Sequence, residues 1–282
     1  MPTFSPDQPI LVASDMSPRS DRATRRAFAL AQQLKSQVVV LTVLDDAMPD
    51  DLLGELKTGA TNKMERFCKS LAGDVDYKLD VRNGDPTFAI LQAVEDHDAG
   101  LLVMGTHRPR PFLDALRETT MQRVVRRTAC PVLLVRDRQD HGYDSVLAAC
   151  DFSPASTGAL RLAAQISPQS RINPLHVLHV PYSGMLGTTG DAADELRAAF
   201  EKEAREADAA WRDQNALPDQ VGETNIVPGA PLAVLMDEVA RLGIDLIAVG
   251  AHGRVGSAPA VLGSLANDLM RDAPCDVLIS RV

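Results

Sequence analysis

Gly250, Gly253, Gly263 and Ser264 are the residues of this chain whose types and spacing are best suited to chemistry. They follow the apolar run 244–249 and precede the helix-compatible segment 265–271. A strand that ends in a glycine turn and then opens a helix is suited to holding an anion. Glycine lets the backbone approach a phosphate closely and adopt positive φ. A helix N-terminus presents unpaired N–H groups and positive dipole character. Ser264 is expected to be the N-cap and to add a hydroxyl. The stretch reads as a cradle for nucleotide phosphates. His252 inside it reads either as a phosphate donor or as a solvated loop side chain.

The elements that must position this cradle repeat along the chain. In the first half, short apolar runs at 9–14, 38–44, 101–104 and 131–135 read as buried strands, with a weaker strand at 77–81. Helical patterns fall between them at 19–35, 50–71, 87–95 and 113–127. The pattern then restarts. Asp15 steps by 136 to Asp151, whereas Gly84, Gly105 and Cys130 each step by 145 to Gly229, Gly250 and Cys275. A constant step across independent landmarks signals tandem duplication. The difference places about nine extra residues in the second copy, expected in the glycine-rich loop 183–190. Two domains are expected, at 1–138 and 144–282. Alternating strands and helices predict an α/β fold: two tandem repeats, each a five-stranded parallel sheet with helices on both faces. Ligands in such sheets bind at the carboxyl ends of strands, where strand order reverses. The turns at Asp151 and Gly250 are expected to meet there.

Bulk composition narrows the function. The 282 residues, 45% hydrophobic and 24% charged, suit an ordinary globular protein. A net charge of −9 speaks against a general nucleic-acid binder. The first nine residues lack a basic start and an apolar core, so no signal peptide is expected. No apolar run approaches a membrane span, and a cytoplasmic location is the expectation. Cys68, Cys130, Cys150 and Cys275 are scattered without a CxxC pair, which speaks against a disulfide framework or zinc site. No lysine-bearing phosphate loop, nucleophile elbow, HExxH or kinase motif set is present. Binding is therefore better supported than turnover.

Gly250-x2-Gly253-x9-Gly263-Ser264 resembles the G-x2-G-x9-G-(S/T) ATP-binding signature of the universal stress proteins. Asp151 after the first strand, His179-Val180 closing the second and the final run 275–279 are similar to that family too, and with the duplication the resemblance covers the whole chain. It implies a Rossmann-like, adenine nucleotide alpha hydrolase-like fold and ATP, with Mg²⁺, as cofactor. By the resemblance, Asp151 contacts the adenosine, with Ala149 and Cys150 beneath the base. Val180 and Val249 flank the adenine. Gly250, His252 and Gly253 approach ribose and phosphates, and Gly263, Ser264 and Leu265 hold the outer phosphates. Family members pair through their last strands, so the halves are expected to pair within one chain. A homodimer and a protein partner are left open. Asp151 also reads as an Asx-turn or cap before Ser153-Pro154.

The first half departs from the signature. Arg108 stands for Gly253, and Glu118-Thr119 for Gly263-Ser264. A proline-stiffened run and a carboxylate disfavour the family's mode of ATP binding there. Arg108 and Glu118 read as an ion pair, or Arg108 and Arg110 as a different anion site. His176 and His179 read as packed or solvent-facing, segment 191–212 as an amphipathic helix with a solvated charged face, and Trp211 as its apolar anchor. The expected function is an ATP-binding regulatory protein of stress survival, with the nucleotide in the second domain. The rival readings are a slow ATPase or autophosphorylating enzyme, and a nucleotide-independent interaction scaffold.

Overall fold

The computed structural model describes residues 4–44, 50–106, 118–136, 142–178, 191–252 and 262–281. The first half runs β1 (Ile10–Ala13), α1 (Pro18–Leu34), β2 (Val38–Leu44), α2 (Asp50–Ala72), β3 (Tyr77–Asn83), α3 (Pro86–Asp96), β4 (Leu101–Gly105), α4 (Thr120–Arg127) and β5 (Val132–Val135). The second half repeats the order with β6 (Ser145–Ala149), α5 (Pro154–Ile166), β7 (Arg171–Leu178), α6 (Asp191–Gln214), β8 (Asn225–Pro228), α7 (Pro231–Leu242), β9 (Leu246–Gly250), α8 (Ser264–Asp272) and β10 (Asp276–Ser280).

The strands form one ten-stranded sheet in the order β3-β2-β1-β4-β5-β10-β9-β6-β7-β8. Each half is a parallel five-stranded sheet whose order reverses between its first and fourth strands. The halves join where β5 meets β10 antiparallel, with Leu133 opposite Leu278. Successive side chains of these strands point to opposite faces, so the apolar runs feed two cores. One holds Ile10, Val12, Val146 and Leu160, and the other Leu11, Leu134, Ile247 and Ile279. Each core draws on both halves. The seam carries buried polar contacts as well: Arg26 of α1 lies 3.5 Å from Asp276 of β10, and the Tyr143 hydroxyl donates to the same carboxylate at 2.8 Å.

Helix starts follow the local sequence. Ser17 and Ser153 cap α1 and α5, each ahead of a proline whose missing N–H costs nothing in the first turn. Two of these expectations need correction, and a third falls on residues that are not described. The helix expected over 113–127 begins at Thr120 among the described residues, because Thr119 caps it. The extra residues of the second copy are not confined to 183–190. The β7–α6 connection spans 179–190 against 45–49 in the first half, and the α6–β8 connection spans 215–224 against 73–76. His179 and Val180, expected to close the second strand, lie outside the described residues, where β7 ends at Leu178.

Candidate functional site

Each half has a crevice at the carboxyl ends of its strands, where the strand order reverses. The second-half crevice, about 280 Å³, brings together Ala149, Cys150, Asp151, Val249, Gly250, His252, Gly263, Ser264 and Leu265. Val180 and Gly253 fall outside the described residues. The crevice adds residues that the motif did not flag: Leu175, Val177 and Leu235 supply apolar wall, and His176 lines it as well. The signal for them was present in the repeat. They stand where Leu41, Val43 and Ile90 line the first crevice.

The β6–α5 turn is built by side-chain chemistry. Asp151 Oδ1 accepts from Ser153 N–H at 3.0 Å, so the Asx-turn reading of this aspartate holds. Asp15 does the same for Ser17. Between each pair a non-glycine residue takes positive φ: Phe152 at 64° and Met16 at 57°. Phe152 stacks on His176 with ring centroids 4.6 Å apart, and His176 Nδ1 donates to the Cys150 carbonyl at 2.8 Å. Trp211 closes the group from α6, with its Nε1–H donating to Thr157 Oγ1 at 2.8 Å. His176 is thus a packed histidine, as expected, that also forms part of the wall. Burial pushes the Cys150 thiol up to about 12, which keeps it protonated and non-nucleophilic at neutral pH.

The two glycines at the ends of the cradle are there for different reasons. A Cβ on Gly250 would meet Ser156 N at 2.8 Å, because α5 packs on the end of β9. Gly105 is pressed in the same way by Arg19 of α1, at 2.9 Å. These glycines serve helix packing in both halves. Gly263 has ordinary extended backbone, φ −62° and ψ 153°, and a Cβ there would meet nothing closer than Ala251 O at 3.6 Å. Among the described residues, nothing in the packing demands glycine at 263.

Gly263, and not Ser264, is the N-cap of α8; this corrects the sequence expectation. Gly263 O accepts the first intrahelical bond, from Asn267 N–H at 3.0 Å, and Gly263 N–H is spent on Ala251 O at 2.8 Å. Ser264 is therefore the first helical residue. No side chain caps α8, and no described residue accepts from the N–H groups of Ser264, Leu265 or Ala266. All three residues line the crevice. His252 Nε2 lies 3.3 Å from Arg281 Nη1, which sets a guanidinium beside the same wall.

The first-half crevice, about 620 Å³, is finished differently. Thr119 caps α4 and completes a capping box with Gln122: its hydroxyl accepts from Gln122 N–H at 3.2 Å, while its own N–H donates to Gln122 Oε1 at 2.9 Å. The box closes the N–H groups of Thr119 and Gln122, while those of Thr120 and Met121, like those of Leu265 and Ala266 in α8, find no acceptor among the described residues. Glu118 pairs with Arg126 at 2.8 Å; Arg108, read as its partner, and Arg110 lie outside the described residues. Burial raises the Asp15 carboxyl, but hydrogen bonds from Ser17 and Ser20 outweigh it and hold the group below the usual carboxylate value.

Among the described residues, no group of three His, Cys, Asp or Glu side chains could hold a metal ion, all four cysteines are free thiols, and no helix is long and apolar enough to cross a membrane.

Fold and site together define a tandem, doubly wound α/β protein with one crevice per half. The model of the universal stress protein family matches residues 8–136 and 142–281, and the chain belongs to that family. Universal stress protein A homolog 1 of Coxiella burnetii is 32% identical over 141 residues, 48% of this chain and 94% of that protein. A universal stress protein of Thermus aquaticus is 33% identical over 135 residues, 45% of this chain and 97% of that protein. Each of these matches spans about half of this chain. The crystal structure of a universal stress protein from Archaeoglobus fulgidus matches in fold over 97% of this chain and 98% of its own, with TM-score 0.69 and 19% identity.

Proposed function

We propose that this chain is an ATP-binding regulatory protein of stress survival, with the nucleotide held in its second half. The observation that carries the reading is the start of α8. Among the described residues, packing does not require Gly263, no side chain caps the helix, and the three residues whose N–H groups lack an acceptor line the crevice. An uncapped helix start is an anion site by backbone geometry and dipole. In this reading the outer phosphates rest on Ser264 and Leu265, with the Ser264 hydroxyl as a further donor. Val249 and Val180 flank the base, Ala149 and Cys150 lie beneath it, and Asp151 contacts the adenosine. Gly250, His252 and Gly253 border the phosphates. A magnesium ion would ride on the nucleotide's own phosphates and water, as this ion commonly does. Binding would bias the surface offered to a protein partner, coupling nucleotide status to that partner. The crevice supplies a cradle without an evident general base, which favours binding over hydrolysis.

The test is an ATP titration by calorimetry of the wild type and of Gly263→Glu, which copies the first half at that position. The wild type binds saturably, and the variant, with a carboxylate in the cradle, binds at least about tenfold more weakly. Equal affinity of the two proteins, or no saturable binding by the wild type, rejects the reading.

A further inference from the structure

The first crevice has Glu118 in place of the second crevice's glycine, and its Thr119 hydroxyl is spent on the capping box, yet it remains a cavity of about 620 Å³. Its apolar wall is kept. Ala13, Leu41, Val43, Ile90 and Met104 stand where Ala149, Leu175, Val177, Leu235 and Val249 line the other crevice. The exchanged residues are cationic. Arg19 takes the place of Ala155 in the first turn of the opening helix, one residue after the matching prolines Pro18 and Pro154. Arg123 takes the place of Asp268 in the helix after the fourth strand. Both arginines line the cavity.

Among the described residues, neither guanidinium has all its donors partnered. Arg19 Nη1 and Arg123 Nε are shielded from solvent and have no hydrogen-bond partner among the described residues. Arg123 Nη2 reaches Thr120 Oγ1 at 3.4 Å, and its Nη1 is 3.9 Å from the Asp85 carboxylate, too far for a hydrogen bond. Buried donors of a charged group left without partners are costly, and proteins rarely keep them without a reason. The nearest competing carboxylates have other work. Glu118 is bound by Arg126, and Asp15 holds the Ser17 N–H.

We infer that the first crevice is a binding site for a small organic phosphate, its phosphate held by the guanidinium groups of Arg19 and Arg123 and its body laid on the wall of Leu41, Val43 and Ile90. The two halves capture anions by opposite means: backbone N–H groups in the second, side-chain forks in the first. Arginine is suited to this because its planar fork matches phosphate oxygens two at a time, which a backbone turn or a lysine does not. Asp15 at the far side of the cavity suits a body that carries a hydroxyl or amino donor. The site is independent of nucleotide binding by the second half.

The probe is phenyl phosphate, which joins a phosphate to a flat apolar body, titrated by calorimetry into the full chain with inorganic phosphate as the comparison. The wild type binds one phenyl phosphate saturably and inorganic phosphate at least tenfold more weakly. Arg19→Gln and Arg123→Gln each weaken phenyl phosphate binding at least tenfold, while Arg123→Lys, which keeps the charge and loses the fork, lies between. Gly263→Glu leaves it unchanged, whatever that variant does to ATP. Urea midpoints matching the wild type establish that the variants are folded, and Arg19→Lys replaces Arg19→Gln if that midpoint falls. Unaltered binding in the arginine variants, loss of binding in Gly263→Glu, equal affinity for inorganic phosphate, or no saturable binding by the wild type would each overturn the assignment.

Discussion

Gly250 and Gly263 belong to one motif but answer to different forces. The backbone of α5 lies against Gly250, so a methyl group there pushes Ser156 aside. Gly250→Ala is expected to destabilise the fold by about 1–3 kcal/mol, the range for overpacking a tight contact. Gly263→Ala is expected to stay within about 0.5 kcal/mol of the wild type, because the position has ordinary φ and open space. Urea denaturation of the two variants separates them; equal losses would remove the distinction between a packing glycine and a ligand glycine. The buried thiols give a second prediction at this scale. Burial raises Cys68, Cys130 and Cys150 to about 12. An unfolded cysteine titrates near pH 8.5, so the folded state holds protons that the unfolded state gives up. The stability these thiols contribute is complete below about pH 8.5 and is lost as pH rises towards 12. Urea midpoints measured across that interval should fall steadily, and a flat profile would count against deep burial of these groups.

At the scale of elements, α4 and α8 begin one residue apart relative to the repeat, and that shift decides what their hydroxyls do. Thr119 sits at the cap of α4 and is consumed by the capping box, whereas Ser264 falls inside α8 and faces the crevice. Thr119→Ala is expected to cost about 1 kcal/mol, the usual loss of a cap. A thermal melt of the variant reads this directly, and an unchanged midpoint would deny the capping box any part in stability. Most elements were legible in the sequence because continuous apolar runs such as 38–44 have few other ways to be buried. The cap of α4 at Thr119 was not, since the Thr119–Gln122 box carries no apolar signal. The reversed capping roles were hidden for a related reason. Glycine and serine are both acceptable N-caps, so spacing alone could not choose between Gly263 and Ser264. The apolar walls of the crevices were legible only through the duplication, and the Glu118–Arg126 pair not at all, because eight residues separate the two and no local spacing signals the contact.

At the scale of the molecule, the antiparallel β5–β10 seam makes two repeats into one sheet with cores shared across it. The Arg26–Asp276 pair at the seam is almost wholly buried, with both side chains 2% exposed. Removing one partner of such a pair leaves a buried charge, so Asp276→Ala is expected to lose about 3–5 kcal/mol. The sole tryptophan, Trp211, lies in the second half, whereas circular dichroism reports on both. A shared core predicts that the two signals change together in urea; a fluorescence transition displaced from the dichroism transition would show the halves unfolding separately. The same seam holds two crevices built on one plan and finished differently, one with a glycine at a helix start that no described side chain caps and one with a capping box and arginines. The central claim is that this difference makes the chain asymmetric towards ATP. Calorimetric stoichiometry tests it most directly: the account predicts one ATP per chain in the wild type and none at the same concentrations in Gly263→Glu. Two ATP per chain, or one that survives Gly263→Glu, would contradict it.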